Sequence, residues 1–323
     1  MFRLAILDDY QRVSRRLADW SGIEKYCSIT VFDRNLRVPD EAAEALAPFD
    51  ILCPMRERMP LPGALIGRLP RLKLIAVTGD RNRTLDLELA TARGIVVSHT
   101  RPATHGAAEL TWGLILSLAR HISLEAASMQ RGGWQNTIGI TLHGRTLGLL
   151  GLGRLGRQVA GFGRAFGMRV IAWSHNLTEE RAADCGATRV EKDELFRSSD
   201  VLSIHLVLGE RTRGLVGARE LGLMRPSAYL VNTSRGPIVD EAALIEALRA
   251  RRIAGAALDV FEREPLADDH ALRRLDNALL TPHLGYVTEE TYRVFYGDAV
   301  ENISAWHAGK PMRVLNPAVL REG

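Results

Sequence analysis

An arginine, a carboxylate and an imidazole follow one another in the last third of the chain. They lie in Asn232-Thr-Ser-Arg235-Gly-Pro, in Asp259-Val-Phe-Glu-Arg-Glu264-Pro-Leu and in Thr281-Pro-His283-Leu-Gly-Tyr. Hydride transfer to a 2-keto acid needs a cation that holds the carboxylate and polarises the carbonyl. It also needs a group that delivers a proton to the oxygen as the hydride reaches carbon. Arg235 and His283 are of those types. Glu264 precedes Pro265, whose ring restricts its backbone to extended conformations. Paired with His283, Glu264 would accept the proton of one ring nitrogen, turn the other toward a substrate and favour the protonated imidazole. Taken singly, each of the three reads as a loop or surface residue, and only the set points to chemistry.

A second constellation suits a dinucleotide. Gly151-Leu-Gly153-Arg-Leu-Gly156 directly follows the apolar run Thr146-Leu-Gly-Leu-Leu and opens a helical stretch through Val159 to Phe166. Gly151 permits a tight turn, Gly153 lets the backbone approach a pyrophosphate, and Gly156 allows close packing of helix on strand. The helix N-terminus offers amides and a partial positive charge to the anion. The next strand, Arg169-Val-Ile-Ala-Trp, ends in Ser174-His175-Asn176 rather than in the acid that accepts ribose hydroxyls and repels a 2′-phosphate. Ser174, helped by His175, Asn176 or Arg181, suits a 2′-phosphate. The expected cofactor is therefore NADP or NAD, with NADP preferred; the bland reading is a solvated loop and relaxed choice.

These residues need a scaffold. Short β-branched and leucine-rich runs alternate with longer helical patterns, the signature of βαβ units on a parallel sheet. Early strands read Leu4 to Asp8, Ile51 to Met55, Leu72 to Thr78 and Ile95 to Ser98, with helices such as Pro39 to Leu46 and Leu85 to Arg93 between them. Later strands read Thr146 to Leu150, Arg169 to Trp173, Val201 to His205, Ala228 to Asn232, Ala254 to Asp259 and Ala278 to Leu280. The expected fold class is α/β with two doubly wound parallel-sheet domains. A Rossmann dinucleotide-binding domain, residues 101–289, is inserted in a smaller flavodoxin-like substrate-binding domain, residues 1–100 and 290–323. Ala103 to His121 reads as one long, mostly apolar helix, continued by an amphipathic stretch to Gln130 and stopped by Gly132-Gly133-Trp134. Such a helix must be buried on several sides, between domains or against a second subunit. A last helix, from about Thr288 to Ala308, suits a return to the first domain.

Composition narrows the function classes. With 46% apolar and 25% charged residues, the 323 residues suit two domains with sizeable cores. The net charge is +4, but the 42 basic and 38 acidic residues are interspersed, which argues against a nucleic-acid surface. Cys27, Cys53 and Cys185 are far apart and outside any metal-ligand spacing, so no metal and a reducing, cytoplasmic setting are expected. Met1 to Tyr10 lack the apolar stretch of a signal peptide. No segment approaches the roughly 20 apolar residues that cross a bilayer. The expectation is a protein without a targeting segment or membrane partner.

With these motifs in view, the chain resembles the D-isomer-specific 2-hydroxyacid dehydrogenase family along essentially its whole length. The matching segments are Leu147-Gly-Leu-Leu-Gly-Leu-Gly-Arg-Leu-Gly156, Asn232-Thr-Ser-Arg-Gly-Pro-Ile-Val-Asp240, Gly255-Ala-Ala-Leu-Asp-Val-Phe-Glu-Arg-Glu-Pro-Leu266 and Thr281-Pro-His-Leu-Gly285. The resemblance implies that Arg235 grips the substrate, that His283 is the acid/base and that Glu264 is its partner. It further implies Arg154 and Leu155 on the pyrophosphate, Thr233 and Asp259 beside the nicotinamide, and a two-domain cleft that closes on ligand. It also implies a homodimer through the helix around 103–121.

The sequence departs from the family where specificity would be set. A family loop of the form Gly-x-Gly-x-Asp, whose amides hold the substrate carboxylate, is here Thr78-Gly79-Asp80-Arg81-Asn82-Arg83. Gly79 is kept, while Arg81 and Arg83 replace the second glycine and the aspartate. Arg81 either favours a substrate with a second anionic or polar group or is a salt-bridging surface residue. Arg56, in Met55-Arg56-Glu57-Arg58, is a candidate second contact, so the candidate substrate set is Gly79, Asp80, Arg81 and Arg56. Val207 stands where the family often has proline, and Tyr286 either lines the pocket or caps a domain contact. Three readings stay open. One is an NAD(P)H-dependent reductase of a 2-keto acid such as glyoxylate, hydroxypyruvate or a larger relative. The second is a phosphorylated-acid or phosphite-type dehydrogenase on the same fold, with Gly323 leaving no room for a regulatory domain. The third is a non-enzymatic, NAD(H)-sensing corepressor-like module.

Overall fold

Five short parallel strands form the first sheet: β1 (Phe2–Ile6), β2 (Cys27–Val31), β3 (Ile51–Cys53), β4 (Leu74–Val77) and β5 (Val96–His99). Their order, β2-β1-β3-β4-β5, is that of a flavodoxin-like sheet. β3 and β4 are buried along their whole length, as continuous apolar runs covered on both faces should be. β2 was absent from the sequence expectation. It pairs only with β1 at the sheet edge and leaves Ser28 and Thr30 exposed, so no apolar run marks it.

The second sheet has seven parallel strands: β6 (Thr146–Leu150), β7 (Arg169–Trp173), β8 (Thr188–Arg189), β9 (Val201–Ile204), β10 (Tyr229–Asn232), β11 (Gly255–Leu258) and β12 (Ala278–Leu280). They run in the order β12-β11-β10-β9-β6-β7-β8. Six had been expected; the seventh, β8, is a two-residue edge strand too short for a periodic signal. The order reverses between β6 and β9, the switch point where ligands of such sheets bind outside the carboxyl ends.

The computed structural model describes residues 1–102 and 105–320. They fall into two compact units, one from the chain before His105 and after Tyr286, the other His105–Tyr286. The chain's return to the first unit has a clear cause. Thr288 caps the helix Glu289–His307, whose buried Asp298 pairs with Arg101 at 2.7 Å. Beyond it, the Leu315 N–H donates to the Val97 carbonyl and the His99 N–H to the Arg313 carbonyl, so the tail is stitched along β5.

The long apolar helix is shorter and less continuous than expected. It runs from Gly106 to Arg120, and His121 adopts a left-handed φ of 52° that breaks it from a second helix, Ile122–Gln130. Ala103 and Thr104, where it had been expected to begin, lie outside the described residues. Ala108, Trp112, Ile115 and Ala119 are buried in a core shared with β6 and the helix Arg154–Ala165. No helix among the described residues is long and apolar enough to cross a membrane, and no group of potential metal ligands occurs among them.

Candidate active site

The fingerprint glycines occupy the carboxyl end of β6. Gly151 has φ 105°, and a Cβ there would meet the His205 carbonyl oxygen at 2.6 Å. A Cβ at Gly156 would meet the Gly151 oxygen at 2.3 Å, so these two glycines are required by the protein's own packing. Gly153 differs: a Cβ there would meet nothing within 4 Å. It is also the N-cap of the helix Arg154–Ala165 and offers no side-chain cap. Space above a helix N-terminus without a side-chain acceptor is what a bound phosphate uses. Arg154 is exposed and Leu155 half-buried in that first turn.

Three neighbouring strands deliver the other groups. Arg235 follows β10, Asp259 ends β11, and His283 follows β12. Asn232 shapes the first turn, its Oδ1 accepting the Ser234 N–H at 3.0 Å and its Nδ2 donating to the Arg235 carbonyl at 3.0 Å. Arg235 donates to the Ser234 carbonyl, and Gly236–Ile238 form a 3₁₀ turn. A Cβ on Gly236 would lie 2.0 Å from the Phe261 carbonyl carbon, so glycine lets the Arg235 turn press against the loop that carries Glu264.

Glu264 and His283 meet. The carboxylate Oε2 is 2.5 Å from His283 Nδ1, and Oε1 accepts the Phe261 N–H at 3.0 Å. An ionised carboxylate only accepts, so Nδ1 carries the proton and Nε2 is directed elsewhere. The buried Tyr286 ring packs edge-on to the imidazole, centroids 5.5 Å apart.

His283 has a φ of 55°, unusual for a non-glycine residue. Asp259 accounts for its persistence. Its fully buried carboxylate accepts the Thr281 hydroxyl at 2.6 Å and the Leu284 and Gly285 N–H groups at 2.7 and 2.9 Å, bracketing His283 on both sides. Burial pushes the Asp259 carboxyl above its ordinary value, with the Thr281 and backbone hydrogen bonds and the nearby His283 acting against it. Asp259 was expected beside a nicotinamide; within the described residues its oxygens serve the His283 loop. Thr233 is buried and bonded to the Thr111 hydroxyl at 2.7 Å. Because Thr111 donates to the Ala107 carbonyl, Thr233 is the donor in that pair.

At the end of β7, Ser174 is half-buried and its carbonyl accepts the Leu177 N–H, closing a turn. His175 packs edge-on against Trp173, and both His175 and Asn176 are exposed. Arg181 reaches back to the Asn176 carbonyl at 3.5 Å.

In the first unit, the loop after β4 holds Gly79, Asp80 and Arg81. The Gly79 N–H donates to Thr100 Oγ1 at 2.6 Å, so one of the loop amides expected to hold a substrate carboxylate is already committed. The Arg56 guanidinium lies directly over Gly79. Arg81 is exposed and pairs with no carboxylate among the described residues.

Sequence reasoning missed two groups. Glu241 accepts the Glu262 N–H at 3.4 Å and pairs with His270 Nε2 at 3.0 Å, tying both ends of the loop that carries Glu264. His205, beside the fingerprint, bonds Ser203 through Nε2, while its buried Nδ1 has no partner among the described residues. Burial lowers its pKa from the ordinary 6.5 to about 4. Neither group belongs to a recognisable spacing; their roles come from distant segments meeting.

The chain is similar to known proteins over most of its length. The family model for the NAD-binding domain of D-isomer-specific 2-hydroxyacid dehydrogenases matches residues 112–285. A glyoxylate reductase of Aeropyrum pernix is 39% identical, over 93% of this chain and 92% of that protein. A D-3-phosphoglycerate dehydrogenase of Methanocaldococcus jannaschii is also 39% identical, over 79% of this chain, but the match spans only 49% of that longer protein. Among solved structures, a phosphoglycerate oxidoreductase from Vibrio cholerae o395 superposes with a TM-score of 0.91 at 37% identity, covering 96% of this chain and all of the other.

Proposed function

The chain belongs to the D-isomer-specific 2-hydroxyacid dehydrogenases, and we propose that it reduces a small 2-keto acid, glyoxylate or hydroxypyruvate or a larger relative, with NAD(P)H. The observation that carries this reading is the Glu264–His283 pair at 2.5 Å, held on a loop that Asp259 fastens at both ends.

The residues at the β6 end fit a dinucleotide, because Gly153 leaves open space above a helix N-terminus that has no side-chain cap. When bound, the nicotinamide supplies the hydride that reaches the carbonyl carbon. His283 then gives its Nε2 proton to the carbonyl oxygen as the C=O π bond opens, while Nδ1–H stays with Glu264. The carboxylate holds the Nδ1 proton and keeps the ring oriented. Arg235 holds the substrate carboxylate and draws charge toward the developing alkoxide. Thr233 and the neighbourhood of Asp259 are assigned to the nicotinamide end, and Arg154 and Leu155 to the pyrophosphate. In the first unit, Arg56 over Gly79, with Asp80 and Arg81, is assigned to the substrate's carboxylate end.

A preference for NADP rests on the absence of an acid at the end of β7. Ser174, with exposed His175 and Arg181 near it, offers donors to a 2′-phosphate. A cytoplasmic setting suits the three free cysteines. A homodimer is proposed through the helix Gly106–Arg120 and the apolar surface that follows it. A sensor that performs no chemistry has no use for the Glu264–His283 pair, so that alternative is set aside.

The test is oxidation of NADH and NADPH, separately, by purified protein with a panel of 2-keto acids that includes phosphohydroxypyruvate. Turnover at near wild-type rate in His283→Ala would sink the proposed acid. If Ser174→Asp leaves NADPH affinity unchanged, the phosphate contact lies elsewhere.

A further inference from the structure

The loop after β4 contains an ion pair whose two members are held very differently. Arg56 is fixed in a left-handed conformation, φ 54°. Its N–H donates to Thr78 Oγ1 at 2.7 Å, and its carbonyl accepts from Asn82 Nδ2 at 2.8 Å, which ties it to both flanks of the Gly79–Asp80–Arg81 turn. The guanidinium lies so close to Gly79 that a Cβ there would fall 1.5 Å from Nη1. Asp80 is the loose partner: its side chain is 46% exposed against 20% for Arg56, and Oδ1 stands 3.7 Å from Nη1. That is an ion pair beyond direct hydrogen-bond distance.

The consequence follows from charge and from the committed amide. With the Gly79 N–H given to Thr100, the side-chain donor packed against Gly79 and able to meet an anion above this turn is the Arg56 guanidinium. The carboxylate now standing against it is Asp80. A second carboxylate placed at hydrogen-bond distance gains Arg56 but is repelled by Asp80.

We infer that Asp80 is a built-in competitor for the substrate's carboxylate at Arg56 and so sets how tightly the keto acid is held. This rests on the reading above that the Gly79 turn receives that carboxylate. Because Asp80 is nearly half exposed, its effect is that of a surface pair, about a two- to five-fold change in affinity. It acts on binding rather than on the proton or hydride, so it shows in KM more than in kcat.

The experiment uses full-length protein with saturating reduced cofactor and the keto acid it turns over best, alongside titration of oxalate, a non-reducible analogue, into the enzyme–cofactor complex. Asp80→Asn is expected to lower KM and the oxalate dissociation constant by about two- to five-fold, with the gain shrinking as salt is raised. Asp80→Glu, which keeps the charge, is expected not to lower them, and Arg56→Met to raise both. An unchanged or raised KM in Asp80→Asn, with Arg56→Met still raising it, overturns the competitor role but leaves the substrate assignment standing. An Arg56→Met protein with wild-type KM and oxalate affinity overturns the assignment itself.

Discussion

Glu264 uses its two oxygens for different tasks: Oε2 holds His283 Nδ1 at 2.5 Å, and Oε1 takes the Phe261 N–H at 3.0 Å. The carboxylate is thus aimed by its own loop before it aims the imidazole. Replacing His283 by Ala is expected to lower kcat by about 10² to 10⁴, the usual contribution of a positioned proton donor. Glu264→Gln should cost less. Its neutral amide still reaches Nδ1 but orients the ring less firmly, so kcat falls while cofactor affinity stays near wild type. Steady-state turnover and cofactor titration on both variants check this, and a wild-type kcat in Glu264→Gln would count against the pairing.

Asp259→Asn probes the fastening of the His283 loop. The amide supplies one acceptor oxygen where three donors now converge, and its NH₂ faces N–H groups. The expected result is a stability loss of about 1 to 3 kcal/mol together with a fall in kcat. Denaturant unfolding and turnover measure the two separately. Full activity in the variant would mean that His283 keeps its left-handed backbone without the clamp.

Gly156→Ala places a Cβ 2.3 Å from the Gly151 carbonyl oxygen, a backbone atom that cannot step aside. The helix Arg154–Ala165 must shift from β6, carrying its N-terminus away from the phosphate position. Cofactor affinity measured by fluorescence titration should drop at least tenfold, whereas Gly153→Ala, whose Cβ meets no protein atom, should fold normally and lose affinity only through the cofactor itself.

His205 makes stability depend on pH. An unfolded imidazole protonates near 6.5, but burial holds folded His205 near 4. Between those values the unfolded chain binds more protons, so stability falls as pH drops through that window and levels off below it. The shift corresponds to roughly 3 kcal/mol at its full extent. Urea unfolding from pH 7 to pH 4 should show this slope in the wild type, and the difference from His205→Gln isolates it. Parallel curves would refute the assignment.

The helix Ile122–Gln130 buries none of its residues, and Ile122, Met129, Trp134 and Ile138 are 52%, 63%, 72% and 94% exposed. Apolar groups gathered at this density are normally covered by a partner. Sedimentation at micromolar concentration is expected to show a dimer, and Trp134→Glu with Ile138→Asp a monomer. A monomeric wild type would remove the proposed interface.

The alternation of apolar runs with helical stretches, the Gly151-to-Gly156 fingerprint and the order Arg235, Glu264, His283 were legible in the chain because each is a local pattern. Turn chemistry, strand composition and helix starts are set by near neighbours, so they need no knowledge of the rest. The edge strand Cys27–Val31 escaped because pairing on one side alone demands no apolar run. The break at His121 escaped because a left-handed residue inside an apolar stretch leaves no composition signal. What the amino-acid order left undecided were the meetings of segments that are remote in the chain. Glu264 reaches His283 across 19 positions. Asp259 spends its oxygens on the His283 loop, and Arg56 covers Gly79 whose amide Thr100 has taken. Those outcomes depend on which carboxyl ends a parallel sheet places side by side and on which buried donors and acceptors then find each other. Only the folded arrangement, in which every buried polar group must be answered by whatever lies beside it, selects among them.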